Sequence, residues 1–416
     1  MSKITDLTAR AVYDSNGDPS IEVDVVLADG SRGRSMAPRG STTGRYEVIV
    51  LEDAAAAPGL AAVAPALAAF NTHVRPAVRG HDGTDQARLD ALLDACDETE
   101  RRSRVGGNVT VATSMALAFA GAASRGLPLH AHLAPETAEP RELPGPLFNL
   151  LDGFPDPACN LCGAEFLVLF DRGAPLERAL ELGVRLRRIV GGLLRDAGHT
   201  PGSSAQGAWT VDLSEPEACF ELLARALETC GVTLGEDVYL GIDLAGSDYA
   251  DGGFPWATLE QRQSSAALGS RFRQWIDRYA LTYLEDPFGE DEPDAWAEIT
   301  AAVGSDALVV GDDLFASRPE RVRRGGQRGL ANAALIKPNQ VGTVSATLRA
   351  MREAREAQME VGVSQRSGEN GDAFITGLAI AGGAGFLKAG GMSRMDRIEK
   401  YNELLRVRDA ATSPFA

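Results

Sequence analysis

The sequence predicts an α/β chain in two parts, a small α+β unit followed by a closed (β/α)8 barrel. Three observations lead there. The 416 residues are too many for one small core and comfortable for two. A Pro/Glu-rich run, Ala134-Pro135-Glu136-Thr137-Ala138-Glu139-Pro140-Arg141-Glu142, separates two stretches of different rhythm. Beyond it, short apolar runs end abruptly on a polar or charged residue, at intervals near the ~30 residues of one βα unit. The expected division is a cap unit at 1–133, a linker at 134–145 and a barrel at 146–416.

In the first unit, residues 4–12 and 20–28 alternate as strands, with turns at 14–19 and at Asp29-Gly30. Alanine-rich helical patterns follow over 54–70, 85–96 and 110–124. The small, polar stretch Pro38-Arg39-Gly40-Ser41-Thr42-Thr43-Gly44-Arg45 reads as a mobile loop. In the second unit the apolar runs terminate at Asp243, Glu285, Asp312, Lys337, Gln365 and Lys388, in steps of 42, 27, 25, 28 and 23 residues. Buried strands that each carry a functional group at the C-terminal end mark a TIM-type barrel. An open doubly wound sheet shares the alternation, but no Gly-rich phosphate fingerprint follows an early strand.

Composition removes several function classes. A net charge of −17 repels phosphate backbones, and no basic groove interrupts it, so nucleic acid is not the expected partner. No run approaches the ~18 apolar residues of a membrane span. The N-terminus has no secretion signal pattern. Five cysteines, few and odd in number, point to a reducing cytoplasm. Cys159 and Cys162 have a redox or metal spacing, yet no second pair completes a zinc site. His130 and His132 read as surface or packing residues.

The basic residues are informative. Of 41 Lys plus Arg only Lys3, Lys337, Lys388 and Lys400 are lysine. In such a background a lysine is a better functional candidate than usual, because arginine cannot give up its proton while a buried lysine can act as a base; Lys3 and Lys400, beside polar residues, read as incidental. Lys337 and Lys388 each close an apolar run. On a barrel they converge with Asp243, Glu285 and Asp312, three carboxylates that form an oxygen-only site suited to a hard ion such as Mg²⁺ rather than Zn²⁺. One such residue alone is most simply a salt bridge at the barrel's end, whereas six in register make a site.

These residues carry a family resemblance. Asp14-Ser15-Asn16-Gly17-Asp18-Pro19-Ser20, the loop Ala37-Pro38-Arg39-Gly40-Ser41-Thr42-Thr43-Gly44, Val310-Gly311-Asp312-Asp313-Leu314, Leu335-Ile336-Lys337-Pro338-Asn339-Gln340-Val341-Gly342, Arg366-Ser367-Gly368-Glu369 and the tail segments 393–397 and 400–402 occur in order. Together they resemble the enolases over nearly the whole chain. The resemblance implies an enolase-type barrel beginning ββαα under a small cap, and a homodimer or higher homo-oligomer. It implies Mg²⁺ held tightly by Asp243, Glu285 and Asp312, with a second ion recruited with substrate near Thr42. Lys337 matches the base that removes the proton beside the substrate carboxylate. Lys388 matches the group that stabilises the resulting enediolate. Lysine or histidine bases with Mg²⁺ are the established pattern of this superfamily. Arg366 and Ser367 match the phosphate clamp, and Glu165 a carboxylate that assists the departing hydroxyl.

The pattern breaks on the leaving-group side. Gln206 occupies the place of the family's glutamic acid, and an amide cannot act as a general acid. The segment Asp152-Gly153-Phe154-Pro155-Asp156-Pro157 aligns with the family's Asn-Gly-Gly-Glu-His-Ala, which puts Asp156 at a histidine position, and Gln365 replaces the histidine before the clamp arginine. Asn16 stands where the family has an arginine that serves the subunit contact. The expected activity is therefore an enolase-type carbon–oxygen lyase in a divergent form, with 2-phosphoglycerate to phosphoenolpyruvate as parent reaction. Two rivals are an enolase-like transferase of phosphonate antibiotic metabolism, making a carboxyphosphonoenolpyruvate-type product, and a non-catalytic enolase fold. The partner in the first two is a small phosphorylated or phosphonate carboxylic acid.

Overall fold

A computed structural model describes residues 2–55, 58–134, 142–153, 161, 164–170, 173–213, 215–249 and 265–412. Most of the expected linker, Asp156, Cys159 and Cys162 lie outside the described residues.

The first unit is an antiparallel sheet of β1 (Ile4–Tyr13), β2 (Pro19–Leu27) and β3 (Arg32–Met36), in that order. Ile21, Val23, Val25 and Leu27 alternate inward with polar neighbours outward, the period-2 pattern of a half-buried strand. The helix Gly107–Arg125 lies against this sheet. It approaches so closely that a Cβ on Gly33 would meet the Ala116 carbonyl at 2.1 Å. The helix Gln86–Cys96 begins under an Asp85 side-chain cap on the Arg88 N–H. The long helix expected over 54–70 is corrected. Among the described residues helical structure begins only at Gly59, after Pro58, and runs through short 3-10, α and π segments to Val78. Prolines at 58, 65 and 76 each remove a backbone donor and break the run into pieces.

The second unit is a closed eight-stranded barrel. Its strands are β4 (Gly145–Gly153), β5 (Glu165–Phe170), β8 (Val238–Asp243), β9 (Leu281–Glu285), β10 (Leu308–Gly311), β11 (Ala333–Ile336), β12 (Glu360–Ser364) and β13 (Phe386–Lys388). Pairing of β13 with β4, from Phe386↔Gly145 to Lys388↔Leu147, closes the ring and excludes the open sheet. β5 runs antiparallel to both neighbours and the other contacts around the ring are parallel, so the order is ββαα followed by βα units. A small hairpin of β6 (Gly202–Ser203) and β7 (Trp209–Val211) extends β4.

Leu147, Leu167, Tyr283, Val310, Ala333, Leu335 and Phe386 fill the barrel interior below the site, so this end is packed core rather than pore. The outer helices bury one stripe each. In Leu176–Asp196 the buried positions are 179, 180, 182, 183, 186, 190, 191 and 194, the spacing of a single helical face. None of the described helices is long and apolar enough to cross a membrane.

One buried carboxyl ties the two units together. Asp90 accepts from Ser114 Oγ at 2.5 Å and Gln86 Nε2 at 3.0 Å, both on its own unit, and from Ser345 N at 2.8 Å and Ser345 Oγ at 2.6 Å on the barrel. Removing it leaves several donors buried without an acceptor, each case typically costing about 1–3 kcal/mol. Asp90→Ala is therefore expected to lower the urea midpoint by that order of stability at an unchanged m-value. An unmoved midpoint would show that the tie carries no net stability.

Candidate active site

The barrel delivers its functional side chains at one end. Asp243, Glu285 and Lys388 are the last residues of β8, β9 and β13. Asp312, Lys337 and Gln365 are the first residues beyond β10, β11 and β12. The structure thus brings together all six strand-end residues read from the sequence, on neighbouring staves.

Lys388 is the hub. Its Nζ lies 2.8 Å from Asp243 Oδ2, 2.5 Å from Glu285 Oε2 and 2.9 Å from Glu165 Oε2, and the residue is buried. Burial alone would drive the ammonium toward neutrality. The charges of Asp243, Glu165 and Glu285 outweigh it and hold the lysine pKa well above the ordinary value. Asp243 has the reciprocal balance: burial raises its pKa, Lys388 lowers it, and the net direction is down. Glu285 goes the other way, raised well above the usual range by burial and then by the Asp243 charge. Its Oε2 also accepts from Tyr283 Oη at 2.6 Å, while its Oε1 is buried with no partner. A buried carboxylate oxygen without a hydrogen-bond partner is one that a hard cation can satisfy.

Across the pocket Lys337 Nζ is hydrogen-bonded to Asp312 Oδ2, and Gln340 Nε2 donates to Asp312 Oδ1 at 2.8 Å. Ser317 Oγ accepts from the Lys337 backbone N–H at 2.8 Å and donates to Gln340 Oε1, which fixes the start of the lysine's segment. Burial lowers the Lys337 pKa and Asp312 raises it, with a net rise.

A second acidic group lies beside this one. Asp286, Asp312 and Asp313 can offer oxygens within 4.8 Å of one another. Only Asp312 is common to the triad read from the sequence. Asp286 is already committed, however: its Oδ1 accepts from Asp312 N at 3.0 Å and its Oδ2 from Asp313 N at 2.9 Å. It reaches them from a left-handed backbone with φ of 39°, a strained state for a non-glycine residue that these bonds pay for. Asp286 acts as the clamp that shapes the end of β10. Burial and then the Asp312 charge push Asp313 up to about 8.

The remaining predicted residues fall on two sides. Arg366 is buried, with NH1 2.9 Å from Glu47 Oε2 and 3.3 Å from Asn339 Oδ1 and NH2 2.9 Å from the Thr42 carbonyl. Ser367 Oγ accepts from the Ser41 N–H at 2.6 Å. The loop read as mobile is therefore docked on the clamp segment, and the antiparallel bridge between Arg39 and Gly368 reinforces it. Gly40 is required here, because a Cβ would lie 1.8 Å from Arg366 NH2. Thr42 uses its backbone carbonyl, and the residue itself is exposed.

On the opposite side Gln365 Nε2 donates to Gln206 Oε1, and Gln206 Nε2 donates to Glu165 Oε1. Two amides and a carboxylate thus form a directed chain. Asn149 Nδ2 donates to Glu165 Oε2 at 2.9 Å. Gln365 Oε1 is buried without a partner. Arg397, fully buried, pins this region by donating to the carbonyls of Arg366 at 2.6 Å, Ser367 at 2.7 Å and Ala205 at 2.9 Å.

The fold agrees with the comparisons to known proteins. Residues 4–133 match the family described as enolase, N-terminal domain, and residues 140–415 match enolase, C-terminal TIM barrel domain. A protein named enolase from Mycobacteroides abscessus is 35% identical over 402 residues, covering 96% of this chain and 93% of that one. The chain belongs to the enolase family.

Sequence reading of this enolase-family chain missed the supporting residues. Glu47, Asn149, Asp152, Asp286, Ser317 and Asn339 all touch the predicted groups or one another. Asn339 and Gln340 follow Lys337 directly, and that adjacency was the available signal. Nothing local marks Glu47 or Asn149, which meet the site only through the tertiary fold.

The Lys388 cage generates a stability prediction. Taking one partner from a buried ionic cluster typically costs about 3–5 kcal/mol, because the charges left behind stay desolvated. Lys388→Met is expected to lose that much in denaturant unfolding. Lys3→Met, at an exposed position, should stay within about 0.5 kcal/mol of wild type. Equal effects would contradict the cage.

Proposed function

We propose that the chain is a divergent, Mg²⁺-dependent member of its family that forms an enediolate from a phosphorylated three-carbon acid, with 2-phosphoglycerate to phosphoenolpyruvate as parent reaction. The supporting observation is the pairing of two lysines with four carboxylates at one barrel mouth, one carboxylate oxygen being unpartnered. Asp243, Glu285 and Asp312 would hold the cation. The donor set is all oxygen, and burial with mutual repulsion leaves Glu285 short of positive charge. When bound, Mg²⁺ supplies positive charge against the substrate's carboxylate oxygens. Asp286 is the weaker candidate ligand because both its oxygens are occupied by backbone N–H groups.

The protein's own groups then have these roles. Lys337 Nζ takes the proton from the carbon beside the carboxylate. Lys388, opposite, offsets the charge that develops on the enediolate. Arg366, held rigidly by Glu47 and Asn339, and Ser367 receive the phosphate, for which a planar guanidinium is suited. Thr42 lies on the docked loop, where the second ion and the substrate would enter. Glu165 faces the departing group, and Gln206 and Gln365 orient it. The ligand in this reading is a small phosphorylated or phosphonate acid. Homodimer or higher assembly and a cytoplasmic setting belong to the same reading.

The amide chain Gln365→Gln206→Glu165 favours one second reading, a transferase of phosphonate antibiotic metabolism. Such an enzyme would keep the carboxylate grip and alter the groups around the departing oxygen. A non-catalytic fold is disfavoured on energetic grounds, since a purely structural core gains nothing from so many buried charges.

Two experiments test this. In heavy water with saturating Mg²⁺, exchange of the α-proton of 2-phosphoglycerate should be detectable while dehydration is slower. Acid catalysis of hydroxyl departure is typically worth ~10²–10⁴ in rate. Gln206→Glu should raise dehydration more than exchange, and Lys337→Arg should stop both, since a permanent cation accepts no proton. Absence of both reactions in wild type would remove this substrate and advance the transferase. Separately, Asp312→Asn should fold normally and lose tight Mg²⁺ binding in calorimetry. Unchanged affinity would take Asp312 out of the metal site.

A further inference from the structure

Asp152 is a buried carboxyl that the reading above does not use. It sits one residue from the end of β4, where the register shifts between Asn149 and Leu151. That bulge places an extra residue in the strand. Both Asn149, opposite Leu167 of the interior cluster, and Asp152, opposite Glu165, consequently face the pocket side, while Leu151 joins the outer core. Asn149 Nδ2 lies 2.9 Å from Glu165 Oε2 and 3.5 Å from Asp152 Oδ1, so a single amide nitrogen spans the two carboxyls. The Ser204 side chain lies close enough to the Asp152 carboxyl to favour its charged form. Ser204 Oγ also accepts from the backbone N–H groups of Gln206 at 3.2 Å and Ala208 at 3.1 Å. Asp152 is thus wired to the turn that carries Gln206, the residue standing where the family has its acid.

Among the described residues, these elements surround Asp152. β5 contributes Glu165, β13 contributes Lys388, the hairpin contributes Ser204 and Gln206, and β7 contributes Thr210, its parallel partner. Burial first, and the Glu165 charge second, push the Asp152 carboxyl up to about 7, against the weaker pull of Ser204, Asn149 and Lys388. Two carboxyls facing one another in a dry site cannot easily both ionise. Asn149 Oδ1, buried without a partner, adds an acceptor beside them.

We propose that Asp152 is the positioning and proton-storing residue of the leaving-group side, acting through Glu165 to supply the proton that Gln206 cannot. The proposal rests on the enediolate reading. As the carbon–oxygen bond breaks, the enediolate electron pair becomes the carbon–carbon double bond. The oxygen takes a proton from Glu165, which is replenished from Asp152 through one water, and leaves as water. The cycle ends with Lys337 protonated and Asp152 ionised, and return of that proton through solvent restores both. An asparagine at this position, as in the family's segment, holds shape but no proton.

The test compares wild type with Asp152→Asn, with Mg²⁺ and 2-phosphoglycerate, following α-proton exchange and elimination between pH 5.5 and about 9. Wild-type elimination should fall as pH rises through about 7, where Asp152 loses its proton, and exchange should lack that break. Asp152→Asn should cut elimination at least about tenfold, leave exchange within about twofold and abolish the break. Elimination at the wild-type rate with the same break would overturn the proposal, as would equal losses in both reactions, which mark a merely structural role. If exchange is absent in wild type, the reading beneath it fails. Difference infrared spectroscopy of wild type against Asp152→Asn then decides for the residue itself. A protonated carboxyl lost on titration through neutral pH sustains Asp152 as a proton store, and a carboxylate at every pH ends it. Asp152→Ser provides a second variant should the amide misfold.

Discussion

A single ammonium held between three carboxylates organises this molecule. Lys388 ends the last barrel strand, and its partners come from β5, β8 and β9. The barrel therefore has to close for the cage to exist, since only the pairing of β13 with β4 brings the last strand round to the first. Desolvating these charges is costly, and their mutual geometry must be held tightly to repay it. The packed interior of Leu147, Leu167, Tyr283, Leu335 and Phe386 supplies that rigidity from below. The docked loop and Arg366 enclose the site from above.

The two halves of the pocket differ in chemistry. On one side charged groups face each other, with Lys337 against Asp312 and Lys388 against its cage. On the other a neutral ladder of Gln365 and Gln206 ends on Glu165. An amide ladder fixes direction, since each amide donates at one end and accepts at the other. It transmits orientation and carries no exchangeable charge. Forming an enediolate and expelling a group from it make separate demands. Under the proposed function, the lysine–carboxylate side serves the first and the amide ladder marks the change in the second.

Much of this was legible in the sequence. The strand-end residues repeat at a βα period and keep their charge in a lysine-poor chain, so Asp243, Glu285, Asp312, Lys337 and Lys388 announced themselves. The barrel order and family followed. Three things were hidden. The segmented helix over 59–78 depends on where prolines interrupt an alanine-rich pattern that otherwise looks continuous. The β4 bulge, which turns Asp152 toward the pocket, is a pairing feature that a strict period of two cannot show. Glu47 reaches Arg366 across 319 positions of chain, a contact that no local pattern encodes. Asp286 and Asp313 each adjoin a strand-end residue, and adjacency in sequence does not distinguish a ligand from the clamp that shapes it.

The proposed cation site of Asp243, Glu285 and Asp312 shares only Asp312 with the acidic group of Asp286, Asp312 and Asp313, so a bound ion tells the two apart. Manganese, which shares the oxygen preference of magnesium and scatters anomalously, can be located in crystals grown with the ion. An anomalous peak is expected within bonding distance of Asp243, Glu285 and Asp312. A peak bonded instead to Asp286, Asp312 and Asp313 would contradict it.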